Sequence, residues 1–444
     1  MIVTNASVWR WHKNISKEIF TGSVIDNCSF RVVNGIIVGL TTSILAPEQD
    51  DVIIDAKGKL IIPGLNDSHI HINMLGESSY FVNLGKCESI YDLKEVLRSH
   101  HRMHPELQFI IGVNWDQSKL SRYPTAADLD EVSREVPIWI WRVCWHIGCA
   151  NSKLLSECNI NEGKEISGGL IDCDEKGIPT GILRERAVEI IQHQMDRKTH
   201  EDKKRFIEEG LTLAIKCGLT AVQTNDSNSF KIYKELLDSD RLHLRIFLTP
   251  DYDDLAKTEA HVGESLIPLR SSNFHSSGDL SSKDTFLVVE RVKIFCDGSL
   301  GAETAALFSD QVEGAITGVL IHEIGYLCGI IRKATEKGFR IEVHAIGDAA
   351  AAQVLDAIQI SKDAGIIINR PIITHCQVLN IDVITAMARN DVIANVQPSF
   401  VPTDMKWVQD RLSPSALAFS YAWKTLLLSG VVVAGGSDSP IESW

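Results

Sequence analysis

No Cys-x-x-Cys pair and no short-spaced cysteine framework occurs among the ten cysteines of this 444-residue chain. Scattered thiols of that kind make a reducing, cytoplasmic setting the default. Cys296 and Cys376 fall inside apolar runs with strand character, where a thiol behaves as a small hydrophobe. No apolar run reaches membrane-spanning length. The opening Met1-Ile2-Val3-Thr4-Asn5-Ala6 lacks the charged region and apolar core of a leader. Positive charge is also short: 44 Lys and Arg against 58 Asp and Glu leave a net charge of −14. That balance argues against nucleic acid or an anionic membrane as partner. It leaves a small-molecule substrate, with a homodimer as the expected assembly.

What is present is ordinary in bulk, 44% hydrophobic and 23% charged, and distinctive in one stretch. Leu60-Ile61-Ile62 reads as a buried strand over about 60–66, broken by Pro63-Gly64 and followed by Asn66-Asp67-Ser68-His69-Ile70-His71. Residues i and i+2 of an extended chain share a face, so His69 and His71 can grip one metal ion. A chance pair of surface histidines is the alternative until the rest of the chain is read.

Residues 1–59 alternate short apolar runs with turn residues, and Asn34-Gly35 between two such runs signals a hairpin. This part is expected to be a small β-sheet domain. Residues 76–205 are irregular and read as an insertion; 108–113 and 137–143 look like strands, and 93–98 and 186–194 helical. From 206 a steady rhythm sets in. A helix with Phe206, Ile207, Leu211 and Ile215 on one side precedes the strand at 220–223. Further strands follow at 243–248, 291–296, 339–344, 371–375, 392–396 and 431–436, separated mostly by helical stretches. With 60–66 these make eight strands, the count of a (β/α)₈ TIM-type barrel spanning 60–75 and 206–444.

In such barrels the chemistry sits at the C-terminal strand ends. Those positions hold His69, His71, His344, His375 and Asp438, with Lys293 inside its own strand. Any single histidine here would be read as a satisfied core imidazole. The joint placement points to a metal centre.

The ordered set His-x-His, Lys, His, His, Asp resembles the amidohydrolase superfamily. The segments 63–71, Val292 to Gly301, His344-Ala345-Ile346-Gly347-Asp348 and Gly436-Ser437-Asp438-Ser439-Pro440 resemble amidohydrolase family 3, in the branch of the N-substituted formamide deformylases. Gly181 to Ala187 and His146 to Asn151 are similar to that branch's insertion, although Cys144-Trp145 stands where the branch has Asp-Gly. The resemblance implies hydrolysis of a carbon–nitrogen bond outside peptides by a metal-activated hydroxide, on N-acyl, N-formyl or carbamoyl compounds. It implies one or two divalent ions, usually zinc. His69 and His71 would hold one and His344 and His375 the other, and Asp438 would bind the first ion and shuttle the proton. An ester, lactone or phosphoester hydrolase, or a silent scaffold, remains open as an alternative.

Lys293 is the odd member, because an ammonium has no lone pair and repels cations. Buried, its pKa falls, and the neutral amine can take up CO2 as a carbamate that bridges two ions. The alternative is a lysine paired to Asp297 or to a substrate carboxylate. His146 and Glu185 are candidate substrate contacts from the insertion; otherwise they are structural. Asp348 is expected to cap its helix, and Asp67 to orient a ligand histidine. The family resemblance also implies about another hundred residues beyond Trp444. On that basis apolar surface should be exposed beside 426–436, the sheet of 1–60 should have unpaired edges, and the 444-residue chain should be less stable than a longer form.

Overall fold

The computed structural model describes residues 1–14, 19–43, 45–142, 147–161, 169–185, 187–195, 198–252, 286–301, 303–310, 314 and 316–442. They divide into two compact units, Met1–Leu75 with Gly210–Trp444, and Gly76–Glu209.

The first unit opens on a small sheet of β1 (Ile2–Asn14), β2 (Ile19–Val33), β3 (Ile36–Thr41), β4 (Ile53–Asp55) and β5 (Leu60–Ile61), in the order β3-β2-β1-β4 with β5 also on β1. Asn34 and Gly35 take φ of 50° and 77°, the left-handed pair that a tight hairpin turn requires. The run at 60–62 does not belong to the strand that carries the histidines. Leu60 and Ile61 pair with Ser7 and Val8 in the small sheet, and Leu60 and Ile62 are about half exposed. Pro63 offers no N–H to continue a ladder, so a separate strand, β6 (Leu65–Ile70), begins after it. Among the described residues β3 pairs only with β2.

The second unit carries β7 (Val82–Asn83), β8 (Ile110–Trp115), β9 (Ile138–Arg142), β10 (Ile147–Ala150), β11 (Gly169–Cys173) and β12 (Pro179–Glu185), in the sheet order β11-β12-β10-β9-β8-β7. Apolar side chains line two cores here, one around Trp139, Trp141 and Leu154 and one around Leu93, Trp115 and Ile140.

Returning to the first unit, β13 (Leu219–Thr224), β14 (Arg245–Leu248) and β15 (Leu287–Val288) join β6 in a parallel sheet ordered β15-β14-β13-β6. A second parallel sheet holds β16 (Arg291–Phe295), β19 (Arg340–Ala345), β20 (Ile372–His375), β21 (Ile393–Val396) and β22 (Val432–Gly435), in that order. The hairpin β17 (Leu307–Phe308) and β18 (Ile316–Thr317) stands apart. The architecture is α/β. Among the described residues no continuous ladder closes the two sheets into one ring. Single bonds join them instead: the Lys293 N–H donates to the Pro250 carbonyl at 2.8 Å, and the Asp438 N–H to the His69 carbonyl at 2.7 Å.

Helices flank these strands, including Ile324–Glu336, Asp348–Asp363 and Ile381–Arg389. In the helix His200–Lys216, Phe206, Ile207, Leu211 and Ala214 are buried, whereas Ile215 is exposed. A 3.6-residue period advances by four and then by three, so the turn after Leu211 buries 214 rather than 215. Leu427, Leu428 and Val432 are exposed apolar side chains. No described helix is long and apolar enough to cross a membrane.

Alternation along β16 and β19 separates two chemistries. Val292, Ile294, Ile341 and Val343 are buried on one face, and each contributes about 1.5–3 kcal/mol of apolar burial. Arg291, Lys293, Glu342 and His344 alternate with them on the other face. The register sets Lys293 against Glu342 and Phe295 against His344.

The join of β22 to β6 depends on Gly436, where an added Cβ would lie 2.5 Å from the His69 backbone nitrogen. Gly436→Ala is therefore expected to push the 436–438 segment off β6. A thermal melt should show a loss of roughly 1–3 kcal/mol, and metal uptake should weaken with it. An unchanged melt and unchanged uptake would show that the close approach can relax.

Candidate metal centre

Each candidate ligand reaches the site for a local reason. His69 is the penultimate residue of β6, and His71 follows where the strand has ended. The Asp67 carboxylate accepts the backbone N–H groups of His69 (3.1 Å) and Ser437 (3.0 Å), tying the ends of β6 and β22 together. It fixes the backbone of a candidate ligand rather than an imidazole. His375 closes β20 with φ of 85°, and Asp438 follows β22 with φ of 57°. Left-handed backbone at a non-glycine residue costs on the order of 1–3 kcal/mol. Here it turns both side chains out of the strand direction and toward His69.

The result is convergence. Donor atoms of His69, His375 and Asp438 lie within 4.8 Å of one another, all buried. Asp438 Oδ1 is 3.1 Å from His71 Nε2 and 3.3 Å from His69 Nε2. The His375 ring centroid is 4.5 Å from that of His344 and 5.5 Å from that of His69. Lys293 Nζ, at 1% exposure, lies 3.5 Å from His69 Nε2.

Hydrogen bonds settle which nitrogen of each ring is free, because a carbonyl or carboxylate oxygen can only accept. His71 Nδ1 donates to the Asn225 carbonyl (2.8 Å), His375 Nδ1 to Gln397 Oε1 (2.8 Å) and His344 Nε2 to the Gly298 carbonyl (2.9 Å). His69 Nδ1 faces Glu342 Oε1 at 3.2 Å. His375 is thus left to ligate through Nε2 and His344 through Nδ1, while His69 and His71 turn Nε2 to Asp438 and would ligate through it once any proton shared there has left.

Electrostatics suit the same use. Burial pushes His344 down to about 4 and, with the repulsion that a protonated His344 would exert, holds His375 well below its ordinary value, so both rings are neutral near pH 7. Burial works against an ionised Asp438, but the adjoining His69 and His71 imidazoles hold its carboxyl well below the carboxylate range. Burial alone would lower His71; the hydrogen bond and charge of Asp438, aided by Asp226, raise it instead. Burial lowers the Lys293 amine against the opposing pull of Glu342, Asp438 and Asp251. Neutral His344 and His375 beside an ionised carboxylate, with His71 able to give up its proton, make a donor set that suits a divalent ion.

Some expectations land elsewhere. The carboxylate beside Lys293 is Glu342, 3.7 Å away, rather than Asp297. Asp297 is occupied with the backbone N–H groups of Ala306, Ile346 and Gly347, and burial raises it to about 6. Asp348 is the first residue of its helix and not the cap, which is Gly347; its carboxylate accepts from the Phe308 N–H and from Asn380. Cys296 and Cys376 directly follow strands β16 and β20 and are fully buried, as small hydrophobes are. His146 lies outside the described residues, and so does the side chain of Glu185. Glu342, Asn225 and Gln397 escaped the sequence reading. Asn225 and Gln397 immediately follow β13 and β21, so the strand-end rule that found the histidines points to them too; Glu342 shares the strand face of His344, two residues on.

Residues 52–444 match the Amidohydrolase family. The chain belongs to that family, and it is a hydrolase. YtcJ of Bacillus subtilis (strain 168) is 31% identical over 412 residues, which cover 89% of this chain and 73% of that protein. The N-substituted formamide deformylase of Arthrobacter pascens is 24% identical over 354 residues, covering 73% of this chain and 60% of that protein. The crystal structure of an uncharacterized metal-dependent hydrolase from Pyrococcus furiosus, 26% identical, matches 100% of this chain and 86% of its own with a TM-score of 0.78. This amidohydrolase therefore carries its clustered histidines and aspartate on a fold shared with metal-dependent hydrolases.

Because His71 holds a proton against Asp438, metal uptake has to displace it. The His71 value lies above 6.5, so affinity should be highest above that value and fall as pH drops through it. Calorimetric titration with zinc in buffers of different ionisation enthalpy should register proton release near pH 6.5. Binding without proton release would show that His71 is not displaced.

Proposed function

We propose that this amidohydrolase hydrolyses a carbon–nitrogen bond outside peptides, in N-acyl, N-formyl or carbamoyl small molecules, with one or two divalent ions, zinc foremost. The observation that carries the reading is the buried His69–His375–Asp438 cluster with His71, His344 and Lys293 against it. In the same reading the two parallel sheets are the two halves of a (β/α)₈ barrel, and the cluster stands at the C-terminal ends of their strands. A divalent ion at this position supplies an acidified water, with a pKa near about 7, and polarises the scissile carbonyl.

The chain's own groups handle the proton. Asp438 Oδ1, ionised and between His69 and His71, takes a proton from the attacking water and returns it to the leaving nitrogen. His71 and His375 are held in register for this by the Asn225 carbonyl and Gln397. Lys293 fits a carbamate: its amine is buried and lowered, and addition of CO2 forms an N–C bond while one amine proton leaves to solvent. The resulting anion would stand beside His69, within reach of an ion held there.

The test is metal analysis of the purified chain, paired with hydrolysis assays on N-formyl, N-acyl, carbamoyl and ester panels. Bound divalent metal with turnover on the carbon–nitrogen panel supports the reading. Turnover on esters alone would replace it with an esterase, and a chain that binds no metal would end it. Lys293→Ala should lose activity and one metal, and added short carboxylates should restore part of both; two metals retained would reject the bridging carbamate. Asp438→Asn should keep the fold and lower turnover about 10²–10⁴-fold. Near-normal turnover of that variant with metal in place would assign the proton transfer elsewhere.

A further inference from the structure

Beneath the donor cluster lies a carboxylate that the reaction outlined above does not use. Glu342, in the middle of β19, is 1% exposed. Its Oε1 lies 3.2 Å from His69 Nδ1 and accepts the Thr374 hydroxyl at 2.9 Å. Lys293 Nζ is 3.7 Å from the same oxygen, and Arg291 Nη1 is 3.4 Å from Oε2. Asp438 approaches the opposite nitrogen of His69, Nε2, at 3.3 Å. The imidazole therefore separates the two carboxylates: Asp438 is on the donor side and Glu342 behind the ring.

We propose that Glu342 is the positioning residue of His69, fixing the ring in the tautomer that carries hydrogen on Nδ1 and aims the Nε2 lone pair into the metal site. A carboxylate can only accept, so the Glu342 contact at 3.2 Å favours hydrogen on Nδ1, and the Lys293 amine, a donor 3.5 Å from Nε2, favours the lone pair there over a proton shared with Asp438 at 3.3 Å. Register makes the arrangement stiff. Glu342 stands opposite Lys293 on β16, and the Thr374 hydroxyl reaches it from β20. Arg291 also has Gln223 and Glu290 as partners, so it is not left to Glu342 alone. Glu342 lies behind the His69 ring and acts on the centre through it, with Lys293 as its other neighbour there. The inference rests on the reading of His69 as a ligand.

Three variants separate positioning from simple charge balance, each read by zinc affinity in competition with a chromophoric chelator, by metal stoichiometry and by thermal melting. Glu342→Gln keeps an accepting oxygen and removes the charge. Glu342→Met removes both. Glu342→Asp keeps the charge for Arg291 but draws the acceptor back by one methylene. Loss of an outer partner of a ligating histidine weakens metal binding by about 10–100-fold. That loss is expected for Met and Asp, while Gln should stay within about a few-fold of the native chain. Nitrogen-15 spectra of the metal-free protein should show the His69 Nδ1–H form in the native chain and Gln variant, and a mixture of tautomers in the Asp variant. Equal losses for Gln and Met would show that charge alone matters, and native affinity in the Asp variant would also overturn the proposal. If the Met variant fails to fold, the Gln and Asp pair decides. A native chain that binds no zinc would defeat the proposed function itself, whereas native binding with indifferent variants would defeat only the role of Glu342.

Discussion

The site depends on one carboxylate. Asp438 is buried, ionised and shared between two imidazoles, and so brings His69 and His71 to a common point. Its position is set by the backbone: Gly436 lets the chain pass against His69, Asp67 ties the two strand ends, and a left-handed residue turns the side chain inward. A buried charge without such partners would cost several kcal/mol. Here the ionised carboxylate has two imidazole partners, which offset the strain of the left-handed residues within the same cluster.

The inward face of β16 and β19 extends the same economy below the centre. Arg291, Lys293, Glu342 and His344 occupy alternate positions on adjacent strands, with the Glu342 carboxylate between the two basic groups. Arg291 pairs with Glu342, Glu342 with His69 and Lys293, and His69 with Asp438. Such a set is high in stakes, because removing one member leaves another buried and unpaired. It also gives the site a memory of shape: the imidazoles arrive with their tautomers chosen, which lowers the reorganisation that binding an ion would otherwise demand.

Much of this was legible before any fold was seen. Strand periodicity located most of the parallel strands to within a few residues, since a buried parallel strand is often a short apolar run; β7 and β15, two residues each, were too short to show a pattern. Asn34-Gly35 announced its hairpin, because few other pairs accept two left-handed residues. The histidines, Lys293 and Asp438 stood out because polar groups at the ends of apolar strands have few structural uses. The run at 60–62 misled for an equally physical reason: three apolar residues look the same on the edge of a small sheet as in a central strand, and only pairing tells them apart. Ile215 misled because a four-residue spacing drifts off a helix face.

The sequence by itself determined which residue types stand at which strand ends, and so the kind of chemistry available. Composition and the spacing of motifs carry that information because ligand chemistry belongs to individual side chains. Only the tertiary structure decided which nitrogen of each imidazole is free, since that follows from a carbonyl or carboxylate contributed by a distant segment: Asn225 for His71, Gln397 for His375, Gly298 for His344 and Glu342 for His69. It also moved the partner of Lys293 from Asp297 to Glu342. Sequence proximity suggested the first, but strand register, which no local pattern encodes, places the second directly across the ladder.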